Sequence, residues 1–438
     1  MERNDILKKL GISQLSEMQR QTGDAFAQSS SDIVVLSPTG TGKTLAYLLP
    51  LIDTVQLDSD EVQAMVVVPG RELAQQTAQV LASTGTGVRG YACYGGRMAM
   101  DEHRELRKVC PQIVIGTPGR LLDHLNKGNL SALHVRTLVI DEFDKCLDMG
   151  FADEMITLVH KLKFVNRHVL LSATQTDDIP RFVNMSQTTT IDFRAKNNTL
   201  GQRISTYILR SEKKDKLDTL YAYLCGTGDE STIVFANYRE SVTRIGRYLE
   251  EKGFVVSMFH GGLDQNEREA ALYKFSNGSS NVMVCTDLAS RGLDIADIQN
   301  VAHYHIPETQ QAYTHRIGRT ARWEAQGNNT FILGPDETLP PYVKEYEALV
   351  LPETLPAPAR PRMCTIYIGK GKRDKISKGD ILGFLCKTGN LKSSDIGKID
   401  VKERYAYVAV SAGKCRALLS AIKDKKIKGL KTVYELIK

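Results

Sequence analysis

Ten short apolar runs, each ending at a turn or a polar motif, constrain this sequence more than any other feature in it. Five fall in the first half: "DIVVLSPTG", "AMVVVPG", "IVIGTPG", "TLVIDEFD" and "HVLLSAT". Five follow in the second: "STIVFANYRES", "VVSMFHGG", "VMVCTDLASRG", "VAHYHIP" and "NTFILG". Stretches with helical apolar spacing, such as Arg71 to Ala82, lie between them. Continuous apolar strands alternating with helices predict a parallel sheet covered on both faces, because a half-solvated sheet would alternate apolar with polar. The expectation is an α/β protein with one such domain over residues 1–204 and another over 205–345. Only the first series carries a glycine-rich loop, which suggests a site built where the two layers meet.

The remaining chain differs in kind. Residues 335–361 hold seven of the 14 prolines, and "LPETLPAPARPR" reads as a semi-extended linker, assigned to 346–363. Beyond it, "TIYIGK" and "RYAYVAV" read as strands and Lys414 to Lys425 as a helix. The net charge of +6 is informative only when divided: residues 362–438 carry 19 Lys and Arg against 7 Asp and Glu, leaving 38 against 44 upstream. A folded segment with that imbalance predicts a polyanion-binding module. The eight cysteines form no CxxC pair and read as reduced thiols. No apolar run approaches the roughly 20 residues of a spanning helix, and "MERNDILKKLG" lacks a signal-peptide core. The expectation is a cytoplasmic protein without a membrane partner and with no obligate protein partner evident.

"SPTGTGKT", Ser37 to Thr44, follows one strand and precedes a helical stretch. In that setting the backbone amides of Ser37, Pro38, Thr39, Gly40, Thr41 and Gly42 form a phosphate cradle, proline contributing shape alone. Lys43 reaches the outer phosphates and Thr44 offers a hydroxyl to Mg²⁺. Asp141, in "LVIDEFDKCL", is placed to share that metal, with Glu142 polarising the attacking water. Phe143 among these carboxylates poses a question. If the strand runs on to Asp144, Phe143 shares the face of Asp141; a turn beginning at Glu142 would change that relation.

Over nearly residues 1–350 the sequence resembles the DEAD-box RNA helicases. The matching motifs, in order, are Gln19 in "LSEMQ", "SPTGTGKT", "PGRELA", "GG" (95–96), "TPGR", "DEFD", "SAT", "IVFANYR", "HGGLDQNER", "TDLASRGLDI" and "HRIGRTAR". The resemblance implies two RecA-like parallel-sheet domains in tandem and ATP with Mg²⁺ as cofactors. It casts Gln19 as the adenine reader, Asp294 as the ribose contact, and Arg319 and Arg322 as arginine fingers. It makes Asp144, Ser172, Thr174 and His315 the coupling between ATP site and domain closure. Arg71, Gly96, Thr117, Arg120, Gln265, Arg268 and Thr286 become the RNA-facing set. Departures from the family pattern are Leu15 and Glu17 before the glutamine, Gly70 in "PGRELA" and Ala321 in "HRIGRTAR".

Residues 364–438 resemble the RNA-binding domain of the DbpA subfamily, a small α+β fold of RRM type. Tyr367, Tyr405 and Tyr407 are either base-stacking residues or plain strand and core residues, and both readings stand at this stage. Lys370, Lys372, Arg373, Lys426 and Lys428 are the better RNA candidates, with Lys375, Lys378, Lys423 and Lys425 beside them. The resemblance implies an ATP-dependent RNA helicase that unwinds short duplexes, with structured 23S rRNA and pre-50S particles as partners. The alternatives are an ATP-gated RNA clamp or assembly scaffold that does not unwind, and a DNA helicase.

Overall fold

The computed structural model describes residues 3–28, 32–38, 40–95, 99–173, 183, 185, 187–194, 204–287, 298–320 and 326–437. The chain divides into two compact units, the first ending at Leu200 and the second running from Gly201 to Lys438.

In the first unit the helices are α1 (Arg3–Lys9), α2 (Glu17–Gln28), α3 (Lys43–Asp53), α4 (Arg71–Ser83), α5 (Ala99–Val109), α6 (Pro118–Asn126), α7 (Phe143–Asp148) and α8 (Ala152–Lys161). The strands are β1 (Asp32–Leu36), β2 (Ala64–Val67), β3 (Gly90–Cys93), β4 (Ile113–Gly116), β5 (Thr137–Ile140), β6 (Arg167–Ser172) and β7 (Thr188–Asp192). They form one sheet in the order β3-β4-β2-β5-β6-β1-β7, with every pairing parallel. Alternate residues of β1 show why the apolar runs are continuous. Ile33 and Val35 pack on one face with Ala46, Tyr47 and Leu73, whereas Val34 and Leu36 pack on the other with Leu121 and Met155. Both faces are core, so neither register can be polar.

The second unit repeats this plan with β8 (Ile204–Arg210), β9 (Thr232–Phe235), β10 (Val256–Phe259), β11 (Val282–Cys285), β12 (Asn300–His303), β13 (Gly327–Leu333) and β14 (Glu347–Ala348). Their order is β10-β11-β9-β12-β13-β8-β14, again parallel throughout. Its helices are α9 (Leu217–Thr227), α10 (Arg239–Glu251), α11 (Gln265–Ser276) and α12 (Gln310–Ile317). The segment expected to be a linker is in part structural: Glu347 and Ala348 add an edge strand beside Tyr207 and Ile208, and Leu349 and Leu351 pack onto the core. Prolines confine it to the edge, where missing N–H groups cost nothing.

The tail contains β15 (Met363–Ile368), α13 (Lys378–Lys387), β16 (Ile396–Val401), β17 (Ala406–Ser411), α14 (Cys415–Ile422), β18 (Lys426–Ile427), β19 (Leu430–Lys431) and β20 (Tyr434–Leu436). An antiparallel sheet of order β16-β17-β15-β20 turns Ile366, Ile368, Val408 and Val410 toward Ile381, Leu385 and Leu418 of the helices. Two RecA-like parallel-sheet domains followed by a small α+β module is therefore the observed architecture.

Histidine 303 in the second unit's core links composition to stability. It is fully buried, stacks on Phe331 at 4.3 Å, and bonds the Asn329 Oδ1 through Nε2 at 2.7 Å. Burial, reinforced by the Arg316 charge, holds its pKa well below the ordinary 6.5. It is neutral in the fold and protonates in the unfolded chain, so its contribution is lost as pH falls below about 6.5. Calorimetry should show the second unit's unfolding midpoint dropping between pH 7.5 and 5.5, with His303→Gln flattening that slope.

Candidate active site and RNA interface

The phosphate loop leaves the carboxyl end of β1 and enters α3. Gly42 precedes the helix with φ of 83°, a conformation open to glycine, and a Cβ there would meet the Gln19 side chain at 2.5 Å. Gln19 Nε2 donates to the Gly42 carbonyl at 3.1 Å, while its Oε1 accepts from the Ser16 amide at 2.9 Å. The altered residues Leu15 and Glu17 therefore do not displace the glutamine from the loop. Ser37 donates to Thr41 Oγ1 at 2.8 Å, and Thr41 donates to the Pro38 carbonyl at 2.9 Å. The Lys43 ammonium donates to the carbonyls of Ser37 at 2.6 Å and Pro38 at 3.2 Å. Burial lowers its pKa, against the raising influence of Asp141 and Glu142. Ser172 closes β6 beside the loop, its carbonyl accepting from the Ser37 amide at 2.9 Å.

Asp141 follows β5 and is 2% exposed. Burial, then the charge of Glu142, push its carboxyl up to about 6, with Lys43 opposing. Thr44 at the start of α3 and the buried carboxylates after β5 are hard oxygen donors of the kind that suits Mg²⁺, and neutralising Asp141 and Glu142 would relieve their mutual repulsion. Bound there, the metal would screen phosphate charge; Thr44 and Asp141 are the residues that would hold it. Two partners were not foreseen from sequence. Tyr47, one turn after Lys43, is fully buried and its hydroxyl is pushed well up by burial and by Asp141. Lys145, whose side chain is fully buried, pairs with Glu142 at 2.6 Å. Its i,i+3 spacing from Glu142 was the available signal.

The question posed by Phe143 is answered by a turn. β5 stops at Ile140, Glu142 takes the left-handed conformation at φ 52° and ψ 48°, and α7 begins at Phe143. That reversal sends Phe143 away from the phosphate loop into the core with Leu36, Ile140, Cys146 and Met155. Replacing it by alanine should cost about 3–5 kcal/mol of first-unit stability through the cavity left behind. Urea unfolding measures this; nucleotide affinity of the folded variant should stay within about twofold.

The RNA-facing candidates lie beyond strand carboxyl ends. Arg71 begins α4 after β2, and a Cβ on Gly95, after β3, would lie 3.5 Å from its guanidinium. Thr117 precedes α6 after β4, its amide bonding the Cys93 carbonyl at 3.2 Å. Arg120, three residues on, has its guanidinium held by Glu102 at 2.5 Å through Nε and by Asp123 at 3.4 Å through Nη1. In the second unit Gln265 opens α11 and bonds Glu269 at 3.1 Å, and Arg268 donates to the Gly261 carbonyl at 2.9 Å. Thr286 follows β11, its amide on the Phe259 carbonyl at 3.2 Å.

Arg316 organises this end of the second unit and was missed, because buried arginines leave no spacing signature. It bonds Asp287 at 2.5 and 2.9 Å, the His305 carbonyl at 2.8 Å and Asn237 Oδ1 at 2.8 Å, and lies over the Phe235 ring. Three of the matched motifs thus meet on one guanidinium. His315 and Arg319 flank it on and just after α12, both buried, as is Asp144 in the first unit. Thr39, Gly96, Thr174, Asp294 and Arg322 lie outside the described residues.

The tail tyrosines face α11. Tyr405 donates to Glu269 at 2.7 Å, Tyr407 packs on Tyr273 with ring centroids 5.1 Å apart, and the Tyr273 hydroxyl bonds the Tyr407 carbonyl at 3.2 Å and the Lys398 carbonyl. Asn277 and Ser279 bond Thr365 at 2.9 Å each. Of the two open readings, the structural one holds: Tyr405 and Tyr407 are spent on packing the tail against the second α/β domain, with Tyr367 beside them at 5.5 and 6.0 Å. A tail swinging on its linker is accordingly replaced by a docked one. The basic residues remain outward. Lys428 bonds the Lys375 carbonyl at 2.9 Å and Asp380 at 3.0 Å, which brings the two lysine-rich stretches together. Lys370 pairs with Asp374 at 2.9 Å, whereas Lys372, Arg373 and Lys426 are exposed. Tyr273→Ala should release the tail, read as new protease cleavage between the second α/β domain and residue 362, with catalysis by the first unit's site intact.

Comparison with known proteins agrees with this geometry. Residues 16–182 match the DEAD/DEAH box helicase family, 213–324 the helicase conserved C-terminal domain and 365–435 the DbpA RNA binding domain. The ATP-dependent RNA helicase CshA of Listeria monocytogenes is 37% identical over 335 residues, 76% of this chain and 64% of that protein. The DEAD-box ATP-dependent RNA helicase CshA of Bacillus subtilis is 34% identical over 341 residues, 76% and 68% of the two chains. The chain thus spans about two thirds of the length of these relatives. Among solved structures, S. cerevisiae Dbp5 bound to RNA and ADP BeF3 has a TM-score of 0.68 at 25% identity, covering 76% of this chain and 88% of its own. Mss116 bound to ssRNA and UDP-BeF has a TM-score of 0.70 at 26% identity, covering 77% and 74%. A phosphate loop and paired carboxylates on one RecA-like unit, with an arginine-bearing second unit, define a nucleotide-driven nucleic-acid motor. This chain belongs to the DEAD-box ATP-dependent RNA helicase family, whose members are RNA-stimulated ATPases.

Proposed function

We propose that this protein couples ATP hydrolysis to the local separation of short RNA duplexes, and that its substrate is structured 23S rRNA in pre-50S particles. The observation that carries the reading is a phosphate loop with its lysine and paired carboxylates in a chain that also carries a DbpA-type RNA-binding module, whose two lysine-rich stretches meet where Lys428 bonds the Lys375 carbonyl. Lys43 and the loop amides bind the phosphates, Gln19 orients the base, and Glu142 holds and polarises the attacking water at its carboxylate. Arg319 and Arg322 from the second unit supply positive charge to the transferring phosphoryl group. No described helix is long and apolar enough to cross a membrane, which accords with work on ribosomal particles in the cytoplasm.

Glu142→Gln should retain nucleotide and RNA binding while RNA-stimulated ATPase falls by about 10² or more; turnover at the wild-type rate would remove its assigned role. The substrate is tested on the full chain with Lys372→Glu and Lys426→Glu together. ATPase stimulation by 23S rRNA fragments should weaken toward that by generic RNA, whose own stimulation is unchanged. Strand separation of short duplexes distinguishes unwinding from clamping, since a clamp would turn over ATP without separating strands.

A further inference from the structure

Two RNA-facing turns of the first unit are tied together by one buried carboxylate. The Tyr94–Gly95 turn follows β3 and the Thr117–Arg120 turn follows β4, neighbouring parallel strands whose last backbone link is the Thr117 amide on the Cys93 carbonyl. Past that point the strand ladder does not fix their separation. Glu102, on α5 between them in sequence, has a side chain wholly removed from solvent. Its Oε1 accepts from the Tyr94 amide at 3.2 Å, and its Oε2 accepts from Arg120 Nε at 2.5 Å and His124 Nε2 at 2.8 Å. His124 Nδ1 accepts from Asn129 Nδ2 at 3.2 Å, which leaves the ring proton on Nε2 for Glu102. A buried carboxylate costs free energy unless fully paired, and here every donor comes from one of the two turns or the helix that follows.

The Cys93 thiol stands with Glu102 and His124 inside 4.8 Å, a spacing that also suits a metal. The chemistry argues otherwise. Both carboxylate oxygens already accept, one of them from a guanidinium, and a divalent cation there would meet the Arg120 charge at close range.

We infer that Glu102 is a positioning residue for RNA binding. Its carboxylate sets the spacing between the Tyr94–Gly95 and Thr117–Arg120 turns, so that Arg71, Gly95 and the Thr117 turn present one continuous track to an RNA backbone. The inference rests on the RNA-binding reading of these turns. Arg120 then acts through Glu102, not as a phosphate contact. Recognition surfaces lose affinity when their parts move by even half an ångström, so loosening the strut acts on RNA binding and leaves the nucleotide site untouched.

The test compares Glu102→Ala and Glu102→Gln with wild type in the full chain, with a single-stranded RNA of defined length as probe. The RNA concentration for half-maximal ATPase stimulation should rise about tenfold in Glu102→Ala, as expected for losing hydrogen bonds to a charged group. It should rise less in Glu102→Gln, whose amide oxygen still accepts from Tyr94. The rate at saturating RNA and the affinity for ADP should be unchanged, while the melting temperature falls because Arg120, His124 and the Tyr94 amide lose a buried acceptor. Should Glu102→Ala fail to fold, Glu102→Gln is judged by the same readouts. An unchanged half-saturation in a folded variant overturns the inference, and so does a rise matched by an equal loss of ADP affinity. Stoichiometric metal in the purified protein, whose removal mimics Glu102→Ala, also overturns it. Arg71→Ala separates the premise from the inference. If that variant shifts half-saturation and the Glu102 variants do not, the RNA-facing reading survives and the strut is refuted; if Arg71→Ala shifts nothing, both fall.

Discussion

Parallel pairing is the constraint on which the rest depends. When every strand of a sheet runs the same way, all carboxyl ends share one edge, and the loops leaving them converge there. In the first unit this puts the phosphate loop after β1, the carboxylate turn after β5 and Ser172 at the end of β6 side by side, although 135 residues separate Ser37 from Ser172 in the chain. The same edge carries Arg71, Gly95 and the Thr117 turn on the other strands. One geometric rule therefore assembles a nucleotide site and a nucleic-acid surface on a single sheet, and parallel strands need helical crossovers that cover both faces.

Such an edge concentrates charge in a dry place. Lys43, Asp141, Glu142, Lys145 and Arg316 are all buried, a condition that charged side chains tolerate only when paired. Each is: Lys43 on loop carbonyls, Asp141 on the Glu142 amide, Glu142 and Lys145 on one another, Arg316 on Asp287 and two oxygens. These pairs hold the groups for chemistry in defined positions, and the interactions that substrate must replace are visible among them. The Phe143 side chain, on the far side of the Glu142 turn, anchors this cluster to the core without entering it.

The tail shows how one sequence pattern serves another purpose. Aromatic residues on the central strands of an RRM-type sheet suggest base stacking, yet Tyr405 and Tyr407 pack on α11, the helix that begins at Gln265. Polyanion binding then falls to the lysine-rich stretches, which remain exposed. Docking thus joins the module to α11 of the second α/β domain.

The sequence alone determined the two α/β layers, the phosphate loop between strand and helix, the order of motifs and the basic tail, because these are local: strand run, turn and helix start lie within ten residues of one another. Tertiary structure alone decided the direction of Phe143, which hangs on one left-handed residue at Glu142, and the burial of the tail tyrosines, which hangs on a helix some 130 residues away. It also disclosed Lys145, Tyr47, Arg316 and Glu102, and the ion pair that Glu102 makes with Arg120. The physical reason is common to all of them. A side chain's partner across a core is chosen by packing and by the need to neutralise buried charge, and neither leaves a periodic trace in the chain.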